Sequence, residues 1–164
     1  MAITANPLPN QWPDFTLPVD ASLQFASAQT LSTSGYISNV SAQLAVNVGR
    51  FDGILAVDIT AFSVTEDLQI ALLGSNDVNF GNGNVVNLTT FDIAAVAADA
   101  LIPTITGVYP TIPPAGRAGW IRAQPFTNYI GAGYVMQYLK LYGLFVGTGS
   151  VTLSAWVTVA RIST

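Results

Sequence analysis

Beyond residue 21, hydrophobic and polar positions mostly alternate with period two. That is the repeat of a strand with one buried face, not the 3.6-residue repeat of a helix. Residues 22–26 alternate, and the pattern continues through 36–40 and 42–48. Asp52-Gly53 is a turn signal of the kind that closes a hairpin. The run that follows, 54–62, is β-branched and apolar. Its Leu55, Val57, Ile59 and Ala61 share one face, with Asp58 and Thr60 on the other. Leu68, Ile70 and Leu72 repeat the alternation until Ser75-Asn76-Asp77 breaks it. Gly81-Asn82-Gly83-Asn84 is a second turn signal before a strand at 85–91. Residues 120–126 read as a strand interrupted by Pro125. The spans 134–146 and 151–162 read as the longest pair, joined through Gly147-Thr148-Gly149.

Two segments depart from this pattern. In residues 1–20, Pro7, Pro9, Pro13 and Pro18 exclude a helix, because proline fixes φ and removes a backbone donor. This stretch is expected to be an extended arm carrying two large rings, Trp12 and Phe15. Two roles stay open: anchoring on another surface, or covering its own domain. Residues 92–101 are compatible with a short helix capped by Asp92. Pro103, Pro110, Pro113 and Pro114 then impose a long loop ending at Gly116. Eight or more short strands, frequent Gly and Asn turns and little helix predict an all-β fold. The expected architecture is an antiparallel two-sheet sandwich or a barrel over residues 21–164, preceded by the arm.

Composition narrows the function. Of 164 residues only 9% are charged, against about 25% in an ordinary soluble domain. His and Cys are both absent, which removes disulfides, thiol nucleophiles, His or Cys metal sites and His-based triads. Five Lys and Arg against nine Asp and Glu cannot neutralise many phosphates, so nucleic acid is not expected as a partner. The uncharged stretch 141–160 is broken by Gly147-Thr148-Gly149-Ser150 and alternates on both sides, which argues against a membrane helix. The first residues have no basic or apolar region of a secretory signal. Faces that should meet water carry Thr, Ser, Gln or Asn where an isolated domain would place Lys and Glu. A surface covered by partners explains that. Residues 1–99 sum to -8 and residues 100–164 to +4. This asymmetry fits either complementary contacts between copies or two halves that interleave in space.

Candidate chemistry is sparse. Glu66-Asp67 is the only adjacent acidic pair, but side by side at a turn it lacks the opposed geometry of glycoside hydrolysis. Asp77-Val78-Asn79 with Gly81 is a partial calcium loop. Asn82 and Leu88 stand where an EF-hand needs Gly and Glu, so a plain turn is expected. Gly147-Thr148-Gly149-Ser150 lacks the Lys and the helix of a phosphate loop. No catalytic residue, metal or cofactor is therefore assigned. Trp12, Trp120 and Trp156 are candidates for ligand stacking or for packing. Arg117 and Arg122 flank Trp120 and suit bidentate contacts with carboxylates. The candidate partner interface is thus Trp12, Phe15, Arg117, Trp120 and Arg122.

The order of short motifs resembles the jelly-roll capsid decoration (cement) proteins of tailed bacteriophages. The matching segments begin with residues 21–29, Ser38-Asn39-Val40 and Val57-Asp58-Ile59-Thr60-Ala61. They continue with residues 70–77 and Phe80, Gly116-Arg117, and Pro125-Phe126-Thr127-Asn128. Tyr138-Leu139-Lys140-Leu141-Tyr142, Val146-Gly147-Thr148-Gly149 and Ala155-Trp156-Val157 complete the series. Together they span roughly residues 21–159; the proline-rich start and the 92–116 segment have no counterpart. The resemblance implies a non-enzymatic jelly roll, commonly a homotrimer, on the outer capsid surface of the virion. There it would bind the major capsid protein, bridge neighbouring capsomers and stabilise the expanded shell. The alternative is a head spike or fibre, or a carbohydrate-binding jelly-roll module for host-surface recognition.

Overall fold

The computed structural model describes residues 21–46, 49–63, 67–81, 84–94 and 120–159. A 3-10 turn at Ala21–Leu23 leads into nine strands. These are β1 (Gln24–Leu31), β2 (Gly35–Tyr36), β3 (Leu44–Ala45), β4 (Asp52–Phe62), β5 (Asp67–Ser75), β6 (Val85–Ala94), β7 (Trp120–Thr127), β8 (Tyr138–Phe145) and β9 (Val151–Val159). They form two sheets, ordered β1-β9-β4-β7 and β2-β8-β5-β6, with β3 also paired to β8. Every pairing is antiparallel. Over the described residues the protein is all-β, two antiparallel sheets in a sandwich-like arrangement.

The alternation read from the sequence sets the core. Leu55, Val57 and Ile59 of β4 and Leu153, Ala155 and Val157 of β9 face Leu68, Ile70 and Leu72 of β5 and Leu139 and Leu141 of β8 in one cluster. Each of these larger side chains contributes on the order of 1.5–3 kcal/mol on leaving water. The halves of opposite net charge do interleave: β7, β8 and β9 each pair with strands from the first half of the chain. That is the second of the two readings of the charge asymmetry.

Several local expectations are corrected. Asp52-Gly53 is not a turn. Both residues lie in β4, where Gly53 pairs with Phe126 and Val159. A Cβ on Gly53 would sit 2.7 Å from Phe51 Cε1 and 3.0 Å from the Phe126 ring. The glycine is there for close packing, not for turning. Asp92 does not cap a helix; β6 carries it opposite Gln69 and runs on to Ala94. Pro125 does not interrupt β7, because β7 is an edge strand, where a missing N–H is tolerated. Of the spans expected at 36–40 and 42–48, the described residues form only the short strands β2 and β3, with residues 47 and 48 outside the description. The Gln29 carboxamide oxygen accepts from Ser38 N–H at 2.7 Å and Asn39 N–H at 3.1 Å, and Phe25 O accepts from Val40 N–H at 3.0 Å. Those donors are therefore taken before a ladder can form. Ala61 is exposed, because the β4–β9 register slips between Ile59 and Ala61. The pair expected from 134–146 and 151–162 is no hairpin, since β8 and β9 lie in different sheets. The arm at 1–20 and the proline-rich loop at 95–119 lie outside the described residues.

Candidate functional site

The most distinctive exposed feature is the connection between β7 and β8. Asn128 follows β7 and is fully buried. Its carboxamide oxygen accepts from Phe51 N–H at 2.6 Å. Its Nδ2 donates to Gly49 O and Met136 O, both at 3.0 Å. Its backbone N–H donates to Phe51 O at 3.0 Å, and its carbonyl accepts from Met136 N–H at 2.8 Å. One side chain thus ties the start of β4 to both limbs of the connection.

Above this staple the chain makes a small hairpin. Tyr129 bridges to Val135, and Tyr134 N–H donates to Gly131 O at 2.9 Å. Gly131, Ala132 and Gly133 all take positive φ, at 97°, 49° and 83°. Two glycines make that run affordable, and Ala132 bears the residual strain. The turn presents Tyr129, Ile130 and Tyr134 to solvent, with Tyr134 62% exposed. Arg50 stands 5.8 Å from the Tyr129 ring centroid. The same Arg50 donates from Nε to both Asp52 carboxylate oxygens, at 2.9 and 3.2 Å. Bonds from Thr127 and then Arg50 hold the Asp52 carboxyl below its ordinary value.

Beside the hairpin lies a groove of about 320 Å³ lined by Asn76, Asn84, Val86, Ile130, Tyr134 and Met136. Its β5 wall approaches closely, since a Cβ on Gly74 would lie 2.9 Å from Met136. The Asp77 turn at its rim is closed internally. Asp77 Oδ1 accepts from Asn79 N–H at 2.9 Å and Oδ2 from Gly81 N–H at 3.0 Å. Among the described residues no cluster of acidic side chains forms a metal site.

A second exposed surface is the outer face of the β2-β8-β5-β6 sheet. Tyr36 and Tyr142 meet edge to face, with centroids 5.2 Å apart. Lys140 Nζ lies 5.3 Å from the Tyr36 centroid and 4.5 Å from that of Phe80. Leu144 and Val146 are exposed on the same side as the chain leaves β8. Cation–π contacts of this kind keep the rings in place on a wet face.

Trp12, Phe15 and Arg117 lie outside the described residues. Trp120 and Arg122 belong to β7, opposite Ile59 and Val57 of β4. The structure thus brings these two to one sheet edge and leaves the other three candidates without a position. Trp156 is buried but belongs to no part of the central cluster; it lies on the opposite face of β9. The hairpin at 129–134 was not among the sequence candidates, because Tyr134 reads naturally as the start of a strand. A usable signal was present in Tyr-Ile-Gly-Ala-Gly-Tyr, a glycine-bracketed turn with large apolar residues at its tip. No family model matches the chain, and no curated protein sequence matches it.

Proposed function

We propose that this chain is a jelly roll acting as a non-enzymatic capsid decoration protein. Strand order supports the fold. The chain crosses repeatedly between sheets ordered β1-β9-β4-β7 and β2-β8-β5-β6, the arrangement expected of two Greek keys rolled together. The observation that carries the function is the hairpin at 129–134. A buried Asn128 ties down the base of this hairpin, which offers Tyr129, Ile130 and Tyr134 to water. Ordering an apolar tip in water has no benefit to an isolated domain, whereas a preformed tip lowers the entropy cost of docking on a protein surface. The low charge of the whole chain points the same way.

In this reading the partner is the major capsid protein, and the location is the outer surface of the head. Binding only the expanded shell stabilises that state by mass action. Assembly as a homotrimer multiplies weak contacts through avidity. The test is density-gradient separation of the source lysate, with quantitative detection of the chain in each fraction. Co-migration with filled heads in fixed proportion to the shell protein supports the reading. Residence with free protein overturns it.

The groove favours a second reading, a carbohydrate-binding head spike or fibre module. An exposed Tyr134 ring beside the amides of Asn76 and Asn84 is chemistry suited to a sugar. Trp156, one of the tryptophans considered for such stacking, is buried. A few copies per particle, together with fluorescence quenching by a member of a glycan panel, would favour this reading over the first.

A further inference from the structure

The outer face of the β2-β8-β5-β6 sheet carries two unmatched charges at fixed places. At one end Asp92 of β6 and Leu144 of β8 flank Gln69 of β5; at the other Lys140 of β8 stands beside Leu73. Ala71 and Tyr142 lie between these rows, with Tyr36 next to Tyr142. None of these side chains is buried, and Asp92, Leu144 and Tyr36 are exposed. Lys140 and Asp92 are the only charges in the three rows. Neither makes an ion pair, since the one salt bridge among the described residues joins Arg50 to Asp52.

The ammonium is held in place without being neutralised. Phe80 takes a φ of 53°, a costly value for a bulky side chain. Its ring centroid lies 4.5 Å from Lys140 Nζ, and that of Tyr36 lies 5.3 Å away. Contacts with ring faces position the cation and leave its N–H donors for a carboxylate. Asp92 cannot supply that carboxylate within the same copy. Two strand spacings, about 10 Å, and four residues, about 13 Å, put the two positions roughly 16 Å apart.

We infer that this face docks on the same face of a second copy about a two-fold axis through Ala71, so that Lys140 of each copy meets Asp92 of the other. Charge complementarity selects this occupant. Both partners of the ion pair lie on one face, so a self-complementary contact forms it twice. Ala71 is the midpoint between Lys140 and Asp92, since it lies on the intervening strand two residues from both Leu73 and Gln69. A methyl group at the axis lets the two sheets approach. The same operation sets the Tyr36 and Tyr142 rings of one copy against Leu144 of the other, which gives the apolar surface its cover. Strands of the two copies then cross at roughly 70°, near the orthogonal class of sheet packing. This inference goes beyond the capsid reading and does not depend on it, because a three-fold assembly through other surfaces leaves the two-fold contact in place.

The test is sedimentation of the full-length protein over a range of concentrations, with charge-swapped variants. Lys140→Asp and Asp92→Lys should each halve the particle mass and raise Kd by about tenfold or more, because the axis repeats every substitution twice. Unchanged urea midpoints show that both variants stay folded. An equimolar mixture of the two variants, and the double variant, restore opposite charges across the axis and should recover the association. Zero-length carbodiimide coupling supplies a second readout. Lys140 is the only lysine, and it should couple to Asp92 of a second copy, a bond that the separation forbids within one copy. Particle mass unchanged by both single variants overturns the proposal, whatever assembly the parent forms through other surfaces. A parent that is monomeric at every concentration overturns it, as does weakening that neither the mixture nor the double variant reverses.

Discussion

Replacing Asn128 with alanine removes the carboxamide that joins Phe51 N–H, Gly49 O and Met136 O. Gly49 is exposed and its carbonyl can recover water. Met136 is buried, and Phe51 is half-buried against the core, so their freed groups regain hydration poorly. Taking one solvent-recoverable hydrogen bond at about 1 kcal/mol and two poorly recoverable partners at about 1–1.5 each gives a loss of roughly 3–4 kcal/mol. For a chain of this size that corresponds to a fall in Tm of about 6–16 °C, at 2–4 °C per kcal/mol. Asn128→Asp discriminates further. It keeps an oxygen for Phe51 N–H but turns a carboxylate toward two carbonyls, so at neutral pH it should be less stable than the alanine variant. Burial and the facing carbonyls raise the pKa of the introduced carboxyl above its unfolded value. Its penalty therefore grows above the unfolded pKa and is relieved as pH falls. The assay is urea denaturation at neutral and mildly acidic pH, with amide exchange at Ile130 and Tyr134 reporting on the hairpin. An alanine variant within about 0.5 kcal/mol of the parent, the range of an ordinary surface change, would refute the staple argument.

Gly53→Ala should cost about 1–3 kcal/mol by overpacking, since the added methyl meets Phe51 and Phe126 at 2.7 and 3.0 Å; a reduced urea midpoint at unchanged m-value is the expected readout. Asp52 has a folded pKa held low by Thr127 and Arg50. Its contribution is complete above the unfolded carboxylate pKa and is lost as pH falls through the lower folded value, so Asp52→Asn should flatten that part of the acid limb in urea titrations. Ile130→Asp and Tyr134→Ala alter exposed side chains and should leave stability within about 0.5 kcal/mol. On the decoration reading both lower the amount of protein retained on heads in the gradient; unchanged retention would remove the hairpin from the interface. Leu141→Ala, at a fully enclosed core position, should cost about 2–5 kcal/mol, measured by the same denaturation.

What was legible beforehand follows from the range of each signal. The inward set Leu55, Val57, Ile59, Leu68, Ile70 and Leu72 could be read from alternation alone, because the pleat of a single strand sends successive side chains to opposite faces. Asp52-Gly53 was misread for the same reason in reverse. A glycine that opens a turn and one that makes room for two phenylalanine rings look alike until Phe126 is brought beside it. Asn128 looked like the end of a strand motif, and its bonds reach Gly49 and Phe51, far back along the chain.

By itself, then, the sequence determined the predominance of strand, the buried face of the principal strands, the scarcity of charge and the lack of His and Cys chemistry. These depend on local backbone geometry and on counting. The tertiary structure alone decided that β8 and β9 part into different sheets, that the two oppositely charged halves interleave, and that Asn128 ties down the base of an apolar hairpin. Each of these is a relation between residues distant in the chain, and such contacts arise only when loop closure and packing have chosen among many pairings that local propensity leaves nearly equal.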